Sequence, residues 1–160
     1  MRLIAMMMVG LLAAGCGPVE QAAKAAASGR TSPFAAVAAQ ATTAGAVRTL
    51  PAAQAGVSLL TGEGWLSGPR NDYNLGMDAG KRLMVFARSD ADFKDSRIWF
   101  ARREGQGWSM PVEVPFSDTR YKDSDPWLTP DGETLYFVSN RPVAGEAPNA
   151  SLDMWRVTVN

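Results

Sequence analysis

Residues 61–160 predict an all-β fold of repeated antiparallel hairpins, and three observations carry that reading. The first is the segment Thr129-Pro130-Asp131-Gly132. Proline presets φ for the second turn position, Asp131 bonds its own backbone, and Gly132 accepts a left-handed conformation. The second is the run Leu135-Tyr136-Phe137-Val138, apolar at four consecutive positions, which suits a strand buried on both faces in mid-sheet. The third is repetition. A shift of 52 residues lays Gly80 on Gly132, Leu83 on Leu135, and Met84-Val85-Phe86 on Tyr136-Phe137-Val138, while a shift of 56 lays Arg97-Ile98-Trp99 on Asp153-Met154-Trp155. Short strands with matching turns at this period indicate a β-repeat array, of which propeller blades are the commonest form.

In chain order, residues 1–16 read as an export signal. Met1-Arg2 is a minimal positive n-region, residues 3–12 an apolar core of ten, and Ala13-Ala14-Gly15 puts small residues before Cys16. That core is too short to span a bilayer as a stable anchor. Cys16 is the only cysteine, so it has no internal disulfide partner. It stands where a bacterial lipoprotein carries its lipid, although Ala13 replaces the usual leucine three residues upstream. Gly17 in place of aspartate favours outer-membrane sorting. Residues 17–60 are about one-third alanine with few aromatics. Residues 22–27 and 35–41 favour helical turns but lack an apolar stripe, and short alanine helices are marginal in water. The segment is expected to be a flexible tether, with an amphipathic docking helix as the alternative. In residues 61–160, blade one is expected over about 71–118, with strands near 73–77, 82–87, 97–102 and 109–114. Blade two follows over about 121–160, with strands near 125–128, 134–139 and 153–157.

Residues 96–140 resemble the TolB-like β-propeller repeat. Arg97-Ile98-Trp99-Phe100-Ala101-Arg102-Arg103 is similar to that repeat's third strand, and Gly105-Gln106-Gly107-Trp108-Ser109-Met110-Pro111 to the turn and outer strand that follow. Asp123-Ser124-Asp125-Pro126-Trp127-Leu128-Thr129-Pro130-Asp131-Gly132 resembles the signature opening the next blade, and Leu135–Arg141 its second strand. The earlier copy departs from the pattern: Asp78-Ala79-Gly80 replaces Pro-Asp-Gly, and Asn74 falls on the proline of Asp-Pro. The resemblance covers roughly residues 71–159 and implies an incomplete propeller. A closed ring needs at least about four blades, so the chain is expected to be part of a longer protein.

Composition excludes several function classes. Sixteen basic residues balance sixteen acidic ones with the signs mixed, which leaves no basic footprint for nucleic acid. The chain has no histidine, which removes Ser-His-Asp and Cys-His machinery and most zinc sites. It has neither a Gly-x-Ser-x-Gly elbow nor a phosphate-cradling glycine loop. Asp90, Asp92 and Asp95 invite a calcium reading, but Lys94 and Ser96 break the EF-hand pattern. Asn149-Ala150-Ser151 fits a glycosylation sequon that a bacterial-type signal makes incidental. Trp99, Trp127 and Trp155 suit stacking of a sugar or peptide, yet two of them recur in register and read better as packing residues.

The expectation is therefore a non-catalytic binding or scaffold module of the bacterial cell envelope, with no cofactor and no metal. It would be exported and lipid-anchored through Cys16 on the periplasmic side of the outer membrane. Partners would be the membrane and a protein, peptide or glycan of the envelope. Asp72, Asp123 and Asp125, near the ends of inner strands, are the candidate ligand-facing residues, and Pro130, Asp131 and Gly132 the structural turn. Alternatives are the gating propeller of a peptidase whose hydrolase domain lies elsewhere, and a structural protein joined to a peptidoglycan-binding domain. Paired carboxylates for glycoside hydrolysis are a weaker reading of Asp72, Asp78, Asp123 and Asp125, all near the predicted ends of inner strands.

Overall fold

The computed structural model describes residues 60–159 continuously, together with 32–34, 36–37, 47–50, 52 and 55–56. The signal segment, Cys16 included, lies outside the described residues. Among the described residues, eight strands form two antiparallel sheets. The first holds β1 (Asn71–Met77), β2 (Leu83–Ser89), β3 (Arg97–Glu104), β4 (Gly107–Trp108) and β5 (Val112–Glu113), with β4 and β5 both pairing β3. The second holds β6 (Asp123–Leu128), β7 (Thr134–Ser139) and β8 (Asp153–Thr158), in that order. The strand expected near 109–114 is thus two short pieces, interrupted before Pro111, which has no N–H to donate to a ladder.

The pairing registers correct the repeat alignment by one residue. Met77 pairs with Met84 in the first sheet and Leu128 with Leu135 in the second, so the first two strands of each unit superpose at a shift of 51. The shift of 56 holds for the third strand, because Phe86 pairs with Trp99 as Phe137 pairs with Trp155. In this register Lys81, at φ 51°, takes the place of Gly132, at φ 78°. Matching glycine to glycine misplaces the turn, because the first copy sets a lysine in the left-handed position. Likewise Asn74 corresponds to Asp125, and Leu75 to Pro126.

Each unit carries the same irregularity. The β1–β2 register slips between Tyr73 and Gly76, and the β6–β7 register slips between Ser124 and Trp127. One extra residue stands on the inner strand in each, with Asn74 at φ 53° and Asp125 at φ 50°. Asparagine and aspartate tolerate this region better than other side chains. The bulge bends the strand and increases its twist.

The sheets stack through alternating side chains. Leu83, Val85, Ile98 and Phe100 of the first pack against Leu128, Leu135 and Phe137 of the second, with Val114 and Val159 closing the cluster. The opposite face of the first sheet, with Met84, Phe86, Ala101 and Trp108, is covered by Leu66, Trp65 and Leu50. At the corrected register Met84 and Phe86 are the counterparts of Leu135 and Phe137. Each sheet therefore buries the same face against what precedes it in the chain. Burial of each such side chain contributes roughly 1.5–3 kcal/mol.

Parts of the 17–60 segment, expected to be a free tether, lie against the sheets. Phe34 is 1% exposed, and its ring centroid is 5.2 Å from that of Phe100. Ser32 donates to the Val159 carbonyl. Arg48 exchanges backbone hydrogen bonds of 2.9 and 2.7 Å with Trp108, extending β4 by one bridge. Burial of the Phe34 ring offsets the cost of ordering the described residues beside it.

Candidate functional site

The candidate aspartates lie on the inner strands, Asp72 on β1 and Asp123 and Asp125 on β6, with only Asp125 inside a bulge. Asp72 and Asp123 hold matching register positions in the two sheets, and each is paired with an arginine. Asp72 accepts from Arg88 Nε at 2.6 Å and from the Gly68 amide at 3.1 Å. Arg88 lies directly across the ladder from Asp72. It also donates to the Leu66 carbonyl and covers the Trp99 ring at 4.8 Å. Asp123 is 1% exposed and accepts from Arg141 Nη2 through both oxygens, at 2.9 and 2.7 Å. Arg141 is braced by Ser139 Oγ at 3.0 Å and lies over the Phe116, Phe137 and Trp155 rings. The position equivalent to Arg88 is Ser139, so the second unit supplies its arginine from two residues further along. Buried carboxylates need such a partner, because an uncompensated charge in the interior is costly. Asp72 thus ties β1 to β2 and Asp123 ties β6 to the segment that follows β7, and both oxygens of each carboxylate already accept a hydrogen bond.

Asp125 differs. It is exposed on its bulge and accepts hydrogen bonds from the Asn74 side-chain amide and from Ser124 Oγ. Two residues at matching bulges thus form a polar pair at the surface where β1 and β6 meet. Sequence marks Asn74 only as a departure from the Asp-Pro pattern, not as a ligand-facing residue. With the register misplaced by one, it falls on Pro126, whose side chain has no polar group.

The turn residues are positioned by their own hydrogen bonds. Thr129 Oγ1 accepts the Thr134 amide at 3.0 Å, the Gly132 amide donates to the Thr129 carbonyl at 2.8 Å, and Asp131 Oδ1 accepts the Glu133 amide at 2.9 Å. The Thr129 hydroxyl, helped by that amide, holds the Asp131 carboxyl below its ordinary value. In the first unit Asp78 does the work of Thr129. Its Oδ1 accepts the Arg82 and Leu83 amides at 2.6 and 2.7 Å, and its Oδ2 accepts from Arg82 Nε at 2.8 Å. Burial alone would raise its pKa, but these bonds and the guanidinium outweigh burial and lower it. The two turns are tied together by Ala79 N–H to the Pro130 carbonyl at 2.8 Å.

Asp90, Asp92 and Asp95 form a self-satisfied loop. Asp95 accepts from the Asp90 amide and from Arg70 Nη2, Asp90 accepts the Lys94 amide, and Asp92 pairs with Lys94. No group of three or more possible metal ligands occurs among the described residues. Trp99 and Trp155 are partly buried against the two clusters. Trp127 is 57% exposed, with its ring centroid 5.7 Å from that of Tyr136. No family model, curated protein or solved structure matches the chain.

Proposed function

We propose that the chain belongs to a TolB-like propeller acting as a non-catalytic binding module of the bacterial cell envelope, exported and anchored through a lipid on Cys16. The observation that carries this reading is the stacking of two repeat-equivalent sheets in chain order, each with a bulged inner strand and each burying the same face on what comes before it. That arrangement is how repeat arrays grow. The second sheet turns outward the positions through which the first receives it. Trp127, Tyr136 and Val138 correspond to Gly76, Val85 and Ala87, and Trp127 and Tyr136 are exposed. In this reading the ligand would meet the inner-strand surface, where the exposed Asn74–Asp125 pair presents polar groups.

The anchor tests the cellular half of the proposal. In a bacterial host the full-length protein is expected to incorporate a labelled fatty acid and to sediment with outer-membrane vesicles, and Cys16→Ser should release it. Unlabelled protein recovered in the cytoplasm would overturn the envelope assignment.

A further inference from the structure

A cleft of about 200 Å³ opens where the turns of the two sheets meet, lined by Asp78, Arg82, Leu83, Arg102 and Gly132. Arg102 stands across the β2–β3 ladder from Leu83. Directly paired residues share a face, so its side chain leaves on the side that the second sheet covers. Its Nε is buried without a hydrogen-bond partner. No ion pair within 4 Å involves Arg102 among the described residues.

The one carboxylate lining the cleft is already committed. Asp78 spends Oδ1 on two backbone amides and Oδ2 on Arg82 Nε. Arg82 forms the outer wall, with Nη2 donating to the Asp131 carbonyl at 2.7 Å and its side chain 66% exposed. Asp131, on the rim, accepts from Thr129 and the Glu133 amide. One guanidinium charge is left over, and arginine does not lose it at any ordinary pH. Burial pushes the Arg102 pKa down, with no opposing contribution from an acid.

We propose that this cleft binds a single carboxylate group, held by the Arg102 guanidinium and closed over by Arg82. A planar guanidinium matches a carboxylate in geometry as well as charge. Pockets for whole small molecules run to about 300–1,000 Å³, so this one suits an acidic group at the end of a larger ligand. Asp78 and Gly132 come from different sheets, so occupancy braces the junction and stabilises the folded state by mass action. The site does not depend on where the protein resides, so it can fail or succeed apart from the envelope assignment.

The test is an NMR titration of the full chain at constant ionic strength, following the arginine Nε–Hε resonances. N-acetylglycine represents a peptide terminus, glucuronate a sugar acid, and N-acetylglycinamide is the uncharged control. The Arg102 signal should move and saturate with at least one acid, stay still with the amide, and identify the source by which acid saturates at lower concentration. Arg82→Gln should weaken binding several-fold, and Arg102→Gln should abolish both the saturation and the ligand-dependent rise in melting temperature. If Arg102→Gln does not fold, Arg102→Lys keeps the charge without the planar fork and should bind more weakly. A non-saturating shift, an equal response to the amide, or an unchanged titration in the Arg102 variants overturns the site.

Discussion

The Asn74 side-chain amide donates to the Asp125 carboxylate, and the two residues hold matching places in β1 and β6, each inside the register slip of its strand. Both sit at positive φ on matching bulges. The contact therefore joins the two units through their one shared irregularity, and it requires both bulges to be in register.

The left-handed positions should be sensitive to β-branching. Gly132→Val is expected to cost about 1–3 kcal/mol, because Gly132 has φ 78° and an added Cβ would lie 3.3 Å from Asp78 Cβ. Lys81→Gly, at the equivalent position, should change stability little, since relief of the left-handed side chain offsets the greater freedom of the unfolded chain. Urea denaturation measures both. A Gly132→Val protein as stable as wild type would argue against the turn.

The Asp123–Arg141 pair should behave as a unit. Asp123→Ala strands a mostly buried guanidinium and is expected to cost up to about 3–5 kcal/mol. Asp123→Leu combined with Arg141→Met should recover much of that loss. A double-mutant cycle in urea checks it, and additive single effects would refute the coupling.

Acid should destabilise the fold only at low pH. Asp78, Asp95 and Asp131 titrate below the ordinary carboxylate value, and Asp118, paired with Arg120, falls to about 2. Lowered folded-state values mean that the unfolded chain takes up protons first. The stabilisation is therefore present above about pH 4, the unfolded value, and is lost as pH falls through the folded values. The chain has no histidine, so melting temperature is expected to be flat from about pH 5 to 7. Asp78→Asn should make the acid-side decline shallower.

The outer face of the second sheet should drive self-association. Trp127, Tyr136 and Met154 are 57%, 38% and 87% exposed, and contiguous apolar surface of this kind promotes assembly. Trp127→Glu with Met154→Lys is expected to raise the monomer fraction by light scattering while leaving the melting temperature within a few degrees. Residues 61–160 alone, without Phe34, should associate more strongly than the longer chain. A monodisperse monomer of 61–160 with a sharp melt would count against a stacked array.

What local chemistry governs was legible without coordinates. The Thr129–Gly132 turn, most strand positions and the recurrence of Trp99 as Trp155 follow from periodicity and turn residues acting over a few positions. The run Leu135 to Val138, expected to be buried on both faces, buries only Leu135 and Phe137 and leaves Tyr136 38% exposed, because nothing among the described residues covers that face of the second sheet. The candidate site was legible only in part. Asp72, Asp123 and Asp125 look alike in sequence, yet Arg88 and Arg141 neutralise the first two and leave Asp125 exposed. Those arginines lie on neighbouring strands or beyond them, so their reach depends on pairing register. That register was misread by one residue, because Lys81 holds a conformation that glycine usually marks. The docking of Phe34 and the unpaired Nε of Arg102 were likewise decided by packing between distant segments. Turns and strand periods are short-range properties of the chain, whereas charge compensation and burial exist only once the sheets have met.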